Sequence, residues 1–226
     1  MTRIICFDLE TTGFNYTGGD RVIEIGAIEV LGGKITQNTF HEYINPDGKI
    51  IPPDSYKVHK LSNAFLEDKP KFRDVAQKML DFIGDSPVVA HNGIDFDFPF
   101  INFELKNLGL PQIPRDKQMD TLVIARHKIF GPKEYTLDAL AKWFGISLES
   151  RADGHGALID TEILAKIYLE LENADAARDI SDIIAEQNEN FTKIPKGYTI
   201  FPARNFPIPQ TDIENHNKFM EQFKTE

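Results

Sequence analysis

Residues 3–14 read Arg3-Ile4-Ile5-Cys6-Phe7-Asp8-Leu9-Glu10-Thr11-Thr12-Gly13-Phe14. The first six are short, apolar and β-branched at Ile4 and Ile5, the pattern of a buried strand. Asp8 and Glu10 stand two apart at its end. Side chains alternate faces along a strand, so the two carboxylates point the same way. Like charges on one face repel each other unless a cation lies between them, and a hard divalent cation with oxygen ligands relieves that repulsion. Two solvated charges at a strand end are the plainer alternative. Behind them, Gly13 permits close backbone approach of a ligand, and Phe14 offers an apolar wedge for a base.

Outward from this stretch, residues 12–20 are Gly-rich and polar, a loop. Residues 21–30 and 35–44 have strand character around the turn Leu31-Gly32-Gly33-Lys34, a hairpin signal. The first three strands are therefore expected to be antiparallel neighbours. Residues 46–69 read as loop-rich, with Pro52-Pro53 as a breaker. Residues 74–83 carry Val75, Met79, Phe82 and Ile83 at helical spacing, and residues 87–90 form a short buried strand. Helices are expected over 98–108 and 137–144, closed by Gly109 and Gly145, with a strand or strand–helix junction over 119–124. A last helix over 161–172 puts Asp160 on the same stripe as Ile163 and Leu164. A meander of strands followed by alternating helices and strands implies an α/β layer fold with a mixed sheet. Residues 1–172 account for that domain. From Asn173 the composition turns to Asn, Asp and then Pro195, Pro202, Pro207 and Pro209, which suits a linker or extended arm. Residues 211–223 suit a terminal helix.

The 226 residues are 41% hydrophobic and 27% charged, a globular composition. The single Cys6 has no partner for an internal disulfide and lies in an apolar run, so it packs rather than reacts. No stretch approaches the roughly 20 apolar residues of a membrane span. The N-terminal apolar run is far shorter than a signal peptide's and is interrupted by Asp8. A cytoplasmic location is expected. The formal charge of −10 argues against a long duplex-binding surface, which is built from Lys and Arg. It does not exclude a site that grips a few nucleotides through metal ions bound by carboxylates.

Two further stretches carry chemistry. His91-Asn92-Gly93-Ile94-Asp95-Phe96-Asp97 follows the strand at 87–90, and in α/β layers ligand sites gather at the carboxyl ends of strands. Asp95 and Asp97 compete there. The register with Phe100 and Glu104 favours Asp97. Phe96 packs either a base or the core. In Gly154-His155-Gly156-Ala157-Leu158-Ile159-Asp160, the histidine stands between two glycines on an expected mobile loop, and Asp160 starts the following helix. A histidine beside a carboxylate cluster suits a general base; a surface residue at a helix N-terminus is the bland alternative.

Taken together, Asp8-Leu9-Glu10-Thr11-Thr12-Gly13, Asn92-x3-Phe96-Asp97 and His155-x4-Asp160 resemble the three motifs of the DEDDh 3′→5′ exonuclease superfamily, in order and in spacing. The resemblance covers about residues 3–172. Val58-His59-Lys60-Leu61-Ser62 resembles its nucleotide-contacting segment, and Asp120-Thr121-Leu122 the segment before the third motif. Within the superfamily, residues 154–169 look like the epsilon-type proofreading branch of bacterial DNA polymerase III. That branch has two residues between the Asn and the aromatic of the second motif. Here there are three, Gly93, Ile94 and Asp95, a spacing the wider superfamily tolerates.

The resemblance implies an RNase H-like mixed sheet flanked by helices, with an extended C-terminal tail, and two Mg²⁺ or Mn²⁺ ions. Asp8 would bridge both ions, Glu10 and Asp160 would complete one, and Asp97 would hold the other. Two metals about 4 Å apart suit in-line phosphoryl displacement. His155 would take a proton from the attacking water, and the product would be a nucleoside 5′-monophosphate. Thr11, Thr12, Gly13, Phe14, His59 and Phe96 would position the terminal nucleotide of a single-stranded DNA 3′ end. The implied role is proofreading for a replicative polymerase, with residues 173–226 docking on the DNA polymerase III alpha subunit; an ordinary tail packed on its own domain is the alternative. A free-standing exonuclease for DNA repair or RNA trimming would share the same site, since the motifs do not read the 2′-position. A non-catalytic binding module would keep the fold and lose a site residue; all five are present.

Overall fold

The computed structural model describes residues 2–151 and 155–174. Its strands are β1 (Arg3–Thr11), β2 (Val22–Leu31) and β3 (Lys34–Tyr43), then β4 (Val88–Ala90) and β5 (Gln118–Asp120). They form one sheet in the order β3-β2-β1-β4-β5, antiparallel from β3 to β1 and parallel from β1 to β5. This is the mixed sheet expected of an RNase H-like α/β fold. The turn between β2 and β3 places Gly32 and Gly33 at φ 57° and 74°. Two consecutive positive φ values are what a two-residue hairpin with native twist requires.

Between the strands lie α1 (Pro53–His59), α2 (Asn63–Leu66), α3 (Phe72–Ile83) and α4 (Asp97–Asn107). After β5 come α5 (Thr121–Lys128), α6 (Leu137–Trp143) and α7 (Ala157–Asn173). The period-two alternation of β1 sorts its side chains into two layers. Ile5, Phe7 and Leu9 pack against Phe72, Val75, Ala76 and Met79 of α3 and Phe98 and Ile101 of α4. Ile4 and Cys6 face the other way, against Ile124, Leu140 and the Ile163, Leu164, Ile167 and Tyr168 stripe of α7. Each such fully buried apolar side chain contributes about 1.5–3 kcal/mol. Asp8 and Glu10 continue the Ile4–Cys6 face. The apolar layer on that side therefore ends in two carboxylates, at the point where α7 begins.

Two expectations change. The proline pair in the loop-rich stretch 46–69 is more than a breaker: α1 starts at Pro53, whose missing N–H and fixed φ suit the first helical position. The last helix begins at Ala157 rather than at Asp160 and runs to Asn173, so Asp160 sits inside its first turn. The tail from 175, including the expected helix over 211–223, lies outside the described residues. Among the described residues no helix is long and apolar enough to cross a membrane.

Candidate active site

Three chain segments deliver the carboxylates. Asp8 and Glu10 come from the end of β1, Asp97 from the first turn of α4, just after β4, and Asp160 from the first turn of α7. Together with His155, Phe14, Phe96, His91, Asn92 and Asp95 they line a cleft of about 470 Å³. Asp97 and Asp160 are buried, at 3% and 4% exposure. Asp95 is exposed on the rim. Burial and proximity to Asp8 separate the two competitors of the second segment.

The electrostatics follow from crowding. Burial pushes Asp8 well above the ordinary carboxylate range, and Asp97, Glu10 and Asp160 add to the push. Glu10 is raised to about 8 by burial first, then by Asp160, Glu24 and Asp97. Asp97 is raised to about 8 by burial and by Asp120. Asp97 Oδ1 is also buried without a hydrogen-bond partner. Ligand atoms of Glu10, His155 and Asp160 lie within 4.8 Å of one another. Mutually repelling carboxylates, one with an orphaned oxygen, make a donor set that fits hard divalent cations.

His155 is exposed at the rim. Its backbone N–H donates to Val58 O at 3.2 Å, which ties it to the end of α1. Its Nδ1 lies 3.2 Å from Asp160 Oδ2 and 2.6 Å from Arg151 Nη2. Arg151 also grips Asp160 in a fork, Nε to Oδ1 at 2.5 Å and Nη2 to Oδ2 at 2.6 Å. Its remaining nitrogen pairs with Asp138 of α6.

The approach of α7 to the sheet depends on Gly26. A Cβ there would fall 2.4 Å from the Ala157 carbonyl, and the Thr161 hydroxyl donates to Gly26 O at 3.1 Å. The loop before Asp97 depends on Asp120, which accepts from the backbone amides of Asn92 (2.9 Å) and Ile94 (3.1 Å) and caps α5 through Leu122 N (2.8 Å). Those bonds hold Asn92 at φ 57°, a left-handed conformation that asparagine tolerates better than most residues.

Beside the carboxylates, a second cleft of about 290 Å³ is lined by Thr11, Gly13, Ser55, Val58 and His59, with Leu9, Glu10, Phe14 and Phe96 shared between the two. The Phe14 ring is 87% exposed and 5.7 Å from Phe96, which in turn lies 5.7 Å from Phe100. The core anchors Phe96, and Phe96 anchors Phe14. His59 is buried. Its Nδ1 accepts from Leu61 N at 3.0 Å, so Nε2 carries the hydrogen, and that Nε2 is buried without a partner. Burial lowers the His59 pKa, with Glu24 pulling the other way. Thr12 differs from its neighbours. It is fully buried, its hydroxyl is engaged with Asp20 (3.2 Å) and Arg21 N (3.0 Å), and it lines neither cleft.

Arg151, Glu24 and Ser55 were not singled out by sequence reasoning. Glu24 is a buried carboxylate directly across the ladder from Glu10 and bonded to His41 Nε2 at 2.8 Å. Its signal was available, since Glu24 and Glu29 both interrupt the apolar run at 22–30. Arg151 left none, because nothing local marks its partners.

The exonuclease family model RNase_T matches residues 5–168. The chain is 37% identical over 222 residues to the DNA polymerase III subunit epsilon of Rickettsia felis, covering 96% of this chain and 95% of that one. It is 41% identical over 177 residues to the subunit of the same name from Salmonella typhimurium, covering 75% and 71%. Among solved structures it is similar to exonuclease X in complex with 5′-overhanging duplex DNA, with a TM-score of 0.60 and 26% identity, over 80% of this chain and 99% of that one. The nuclease domain of 3′hExo, a DEDDh family member bound to rAMP, gives a TM-score of 0.64 at 15% identity over 77% and 94%, a likeness of fold.

Proposed function

The chain belongs to the RNase_T exonuclease family and is a 3′→5′ exonuclease; from that premise we propose that it releases nucleoside 5′-monophosphates from single-stranded or mispaired DNA 3′ ends, as the proofreading subunit of a replicative polymerase. The observation that carries this reading is the convergence of Asp8, Glu10, Asp97 and Asp160 in one cleft with His155 at its rim. Relatives named as the epsilon subunit over nearly the full chain support the proofreading role.

In this reading Asp8, Glu10, Asp97 and Asp160 would hold divalent cations, Mg²⁺ or Mn²⁺. Such ions supply positive charge to the attacking and leaving oxygens of an in-line displacement. The chain's residues do the rest. His155 takes the proton of the attacking water at a ring nitrogen. The terminal nucleotide sits in the second cleft, where Phe14, backed by Phe96, stacks on its base. Stacking tolerates any base, as proofreading requires. His59 Nε2–H is a donor aimed at the nucleotide, and Thr11 and Gly13 form the floor. Thr12 acts by holding the turn that presents Gly13 and Phe14. Residues 1–172 form the exonuclease domain, and residues 173–226 dock on the polymerase alpha subunit.

The test compares Asp8→Asn with the wild type for release of labelled 3′-terminal nucleotides in Mg²⁺, on matched DNA, mismatched DNA and RNA. Undiminished release by the variant would overturn the site. Preference for mismatched DNA supports proofreading, and preference for RNA opposes it. Co-purification with the alpha subunit, lost on deleting residues 173–226, tests the docking role.

A further inference from the structure

Arg151 is bound to the two groups that the reaction most needs free. Its fork occupies both oxygens of Asp160, and its Nη2 lies 2.6 Å from His155 Nδ1. A guanidinium has donors only. His155 Nδ1 must therefore be the acceptor of that contact, with its lone pair taken. The 3.2 Å approach of the same nitrogen to Asp160 Oδ2 is then an approach of two acceptors, held together by the arginine between them. A neutral imidazole whose Nδ1 lone pair is taken carries its hydrogen on Nε2 and has no site left for a proton. In this arrangement the guanidinium engages both oxygens of Asp160 on the side it occupies, and His155 cannot act as a base while Nδ1 is held.

We infer that Arg151 is a latch that occupies the cation side of Asp160 in the metal-free protein, and that a divalent cation, by taking Asp160, displaces Arg151 and frees His155. The inference rests on the metal-site reading above. A divalent ion carries twice the charge of a guanidinium and reaches Asp160 together with Glu10, whose ligand atoms lie within 4.8 Å of those of Asp160 and His155. The displaced arginine has a place to stay, since its third nitrogen is already paired with Asp138 on α6. The ion pair is largely shielded, with side-chain exposures of 9% and 6%, so the competition is between specific contacts rather than between screened charges. Arg151 is thus a positioning residue. The latch silences the base until a cation takes Asp160, and it keeps that buried carboxylate paired, because an unpaired buried charge is costly.

The experiment measures Mn²⁺ binding to the full chain by calorimetry, without nucleic acid, for the wild type, Arg151→Gln, Arg151→Lys and Asp8→Asn. Both Arg151 variants are expected to bind Mn²⁺ roughly 10-fold more tightly, which corresponds to about 1.4 kcal/mol. Lysine keeps the charge but not the fork, so a lysine variant that matches the wild type while glutamine binds more tightly means a long-range field and overturns the latch. Unchanged or weakened binding in both variants overturns it too. Wild-type protein that fails to bind Mn²⁺, or binds no better than Asp8→Asn, sinks the metal-site reading and the latch with it. A second measurement needs no variant. The Arg151 Nε–H resonance of ¹⁵N-labelled wild type should shift on Mg²⁺ titration as it loses Asp160, and a resonance that stays in place at saturation overturns the latch.

Discussion

Asp8 stands directly across the β1–β2 ladder from Gly26. The missing side chain of one residue lets a helix reach the carboxylate of the other. The first turn of α7 rests on Gly26, and that turn carries Asp160. The acidic cleft is thus assembled by a packing contact between Gly26 and the first turn of α7, whose Thr161 lies 135 residues further along the chain.

Gly26→Ala should therefore injure the site through packing alone. The added methyl falls 2.4 Å from backbone atoms of Ala157, and backbone cannot swing aside as a side-chain tip can. Overpacking of this kind costs about 1–3 kcal/mol. The expected result is a lowered thermal midpoint together with a drop in kcat, as Asp160 is pushed away from Asp8. A variant with wild-type kcat would mean that α7 does not depend on this contact.

The strand half of this arrangement was legible and the helix half was not. Alternation along residues 3–10 is enough to put Asp8 and Glu10 on one face, because a strand fixes side-chain direction residue by residue. The preference for Asp97 over Asp95 was reachable from the register with Phe100 and Glu104; the former lies in the core and the latter pairs with Arg21 at 2.6 Å. Gly26 looked like any strand glycine, since the backbone that crowds it lies far away in sequence. Pro53 was read as a breaker because a proline that stops one element can also start the next. Arg151 was invisible for the same reason as Gly26. Its roles belong to Asp138, Asp160 and His155, and no spacing rule joins those residues to it.

The metal-free protein should lose stability as pH rises. Glu10 and Asp97 titrate near 8 in the folded chain, and Asp8 is raised as well, against ordinary carboxylate values in the unfolded chain. Between those limits the folded state binds more protons than the unfolded state, so unfolding free energy falls with pH. The stabilising contribution is complete below the unfolded values near 4 and lost as pH rises through about 8. Asp20 and Glu29, whose values are lowered, act in the opposite sense at more acid pH, and His59 and His91, lowered by burial, oppose the trend up to the ordinary histidine value of about 6.5. In EDTA the thermal midpoint should decline from about pH 6.5, above the ordinary histidine value, to pH 8, and saturating Mg²⁺ should flatten that decline. A midpoint that rises with pH over that range in EDTA would contradict the crowding of the cleft.

Asp120→Asn should slow the reaction without touching substrate or metal. Asp120 accepts from the amides of Asn92, Ile94 and Leu122, and those bonds shape the loop that leads into Asp97. An amide in its place has one accepting oxygen and turns an NH₂ toward at least one of those N–H groups. A buried donor left unsatisfied costs about 1–3 kcal/mol. The variant is expected to lose stability by that amount and to lower kcat with little change in KM, because the cleft around Phe14 and His59, proposed to take the nucleotide, does not include Asp120. A rise in KM with unaltered kcat would place Asp120 in substrate binding instead.

Phe14→Ala should separate binding from folding more cleanly than any other change. Its ring is 87% exposed, so the core loses almost nothing when it is removed, and the thermal midpoint should hold. Phe96 and Phe100 remain packed behind it, so the cleft keeps its back wall. What disappears is a solvent-facing aromatic plate held 5.7 Å from Phe96 at the mouth of both clefts. Base stacking on such a plate is worth about 1–3 kcal/mol, so KM for single-stranded DNA should rise by roughly 10-fold or more. The rise should be similar for all four terminal bases, because a π-face is common to each. Phe14→Trp should restore tight binding. A KM that climbs for one base alone would mean that Phe14 reads an edge rather than a face, and an unchanged KM would remove it from the path of the strand.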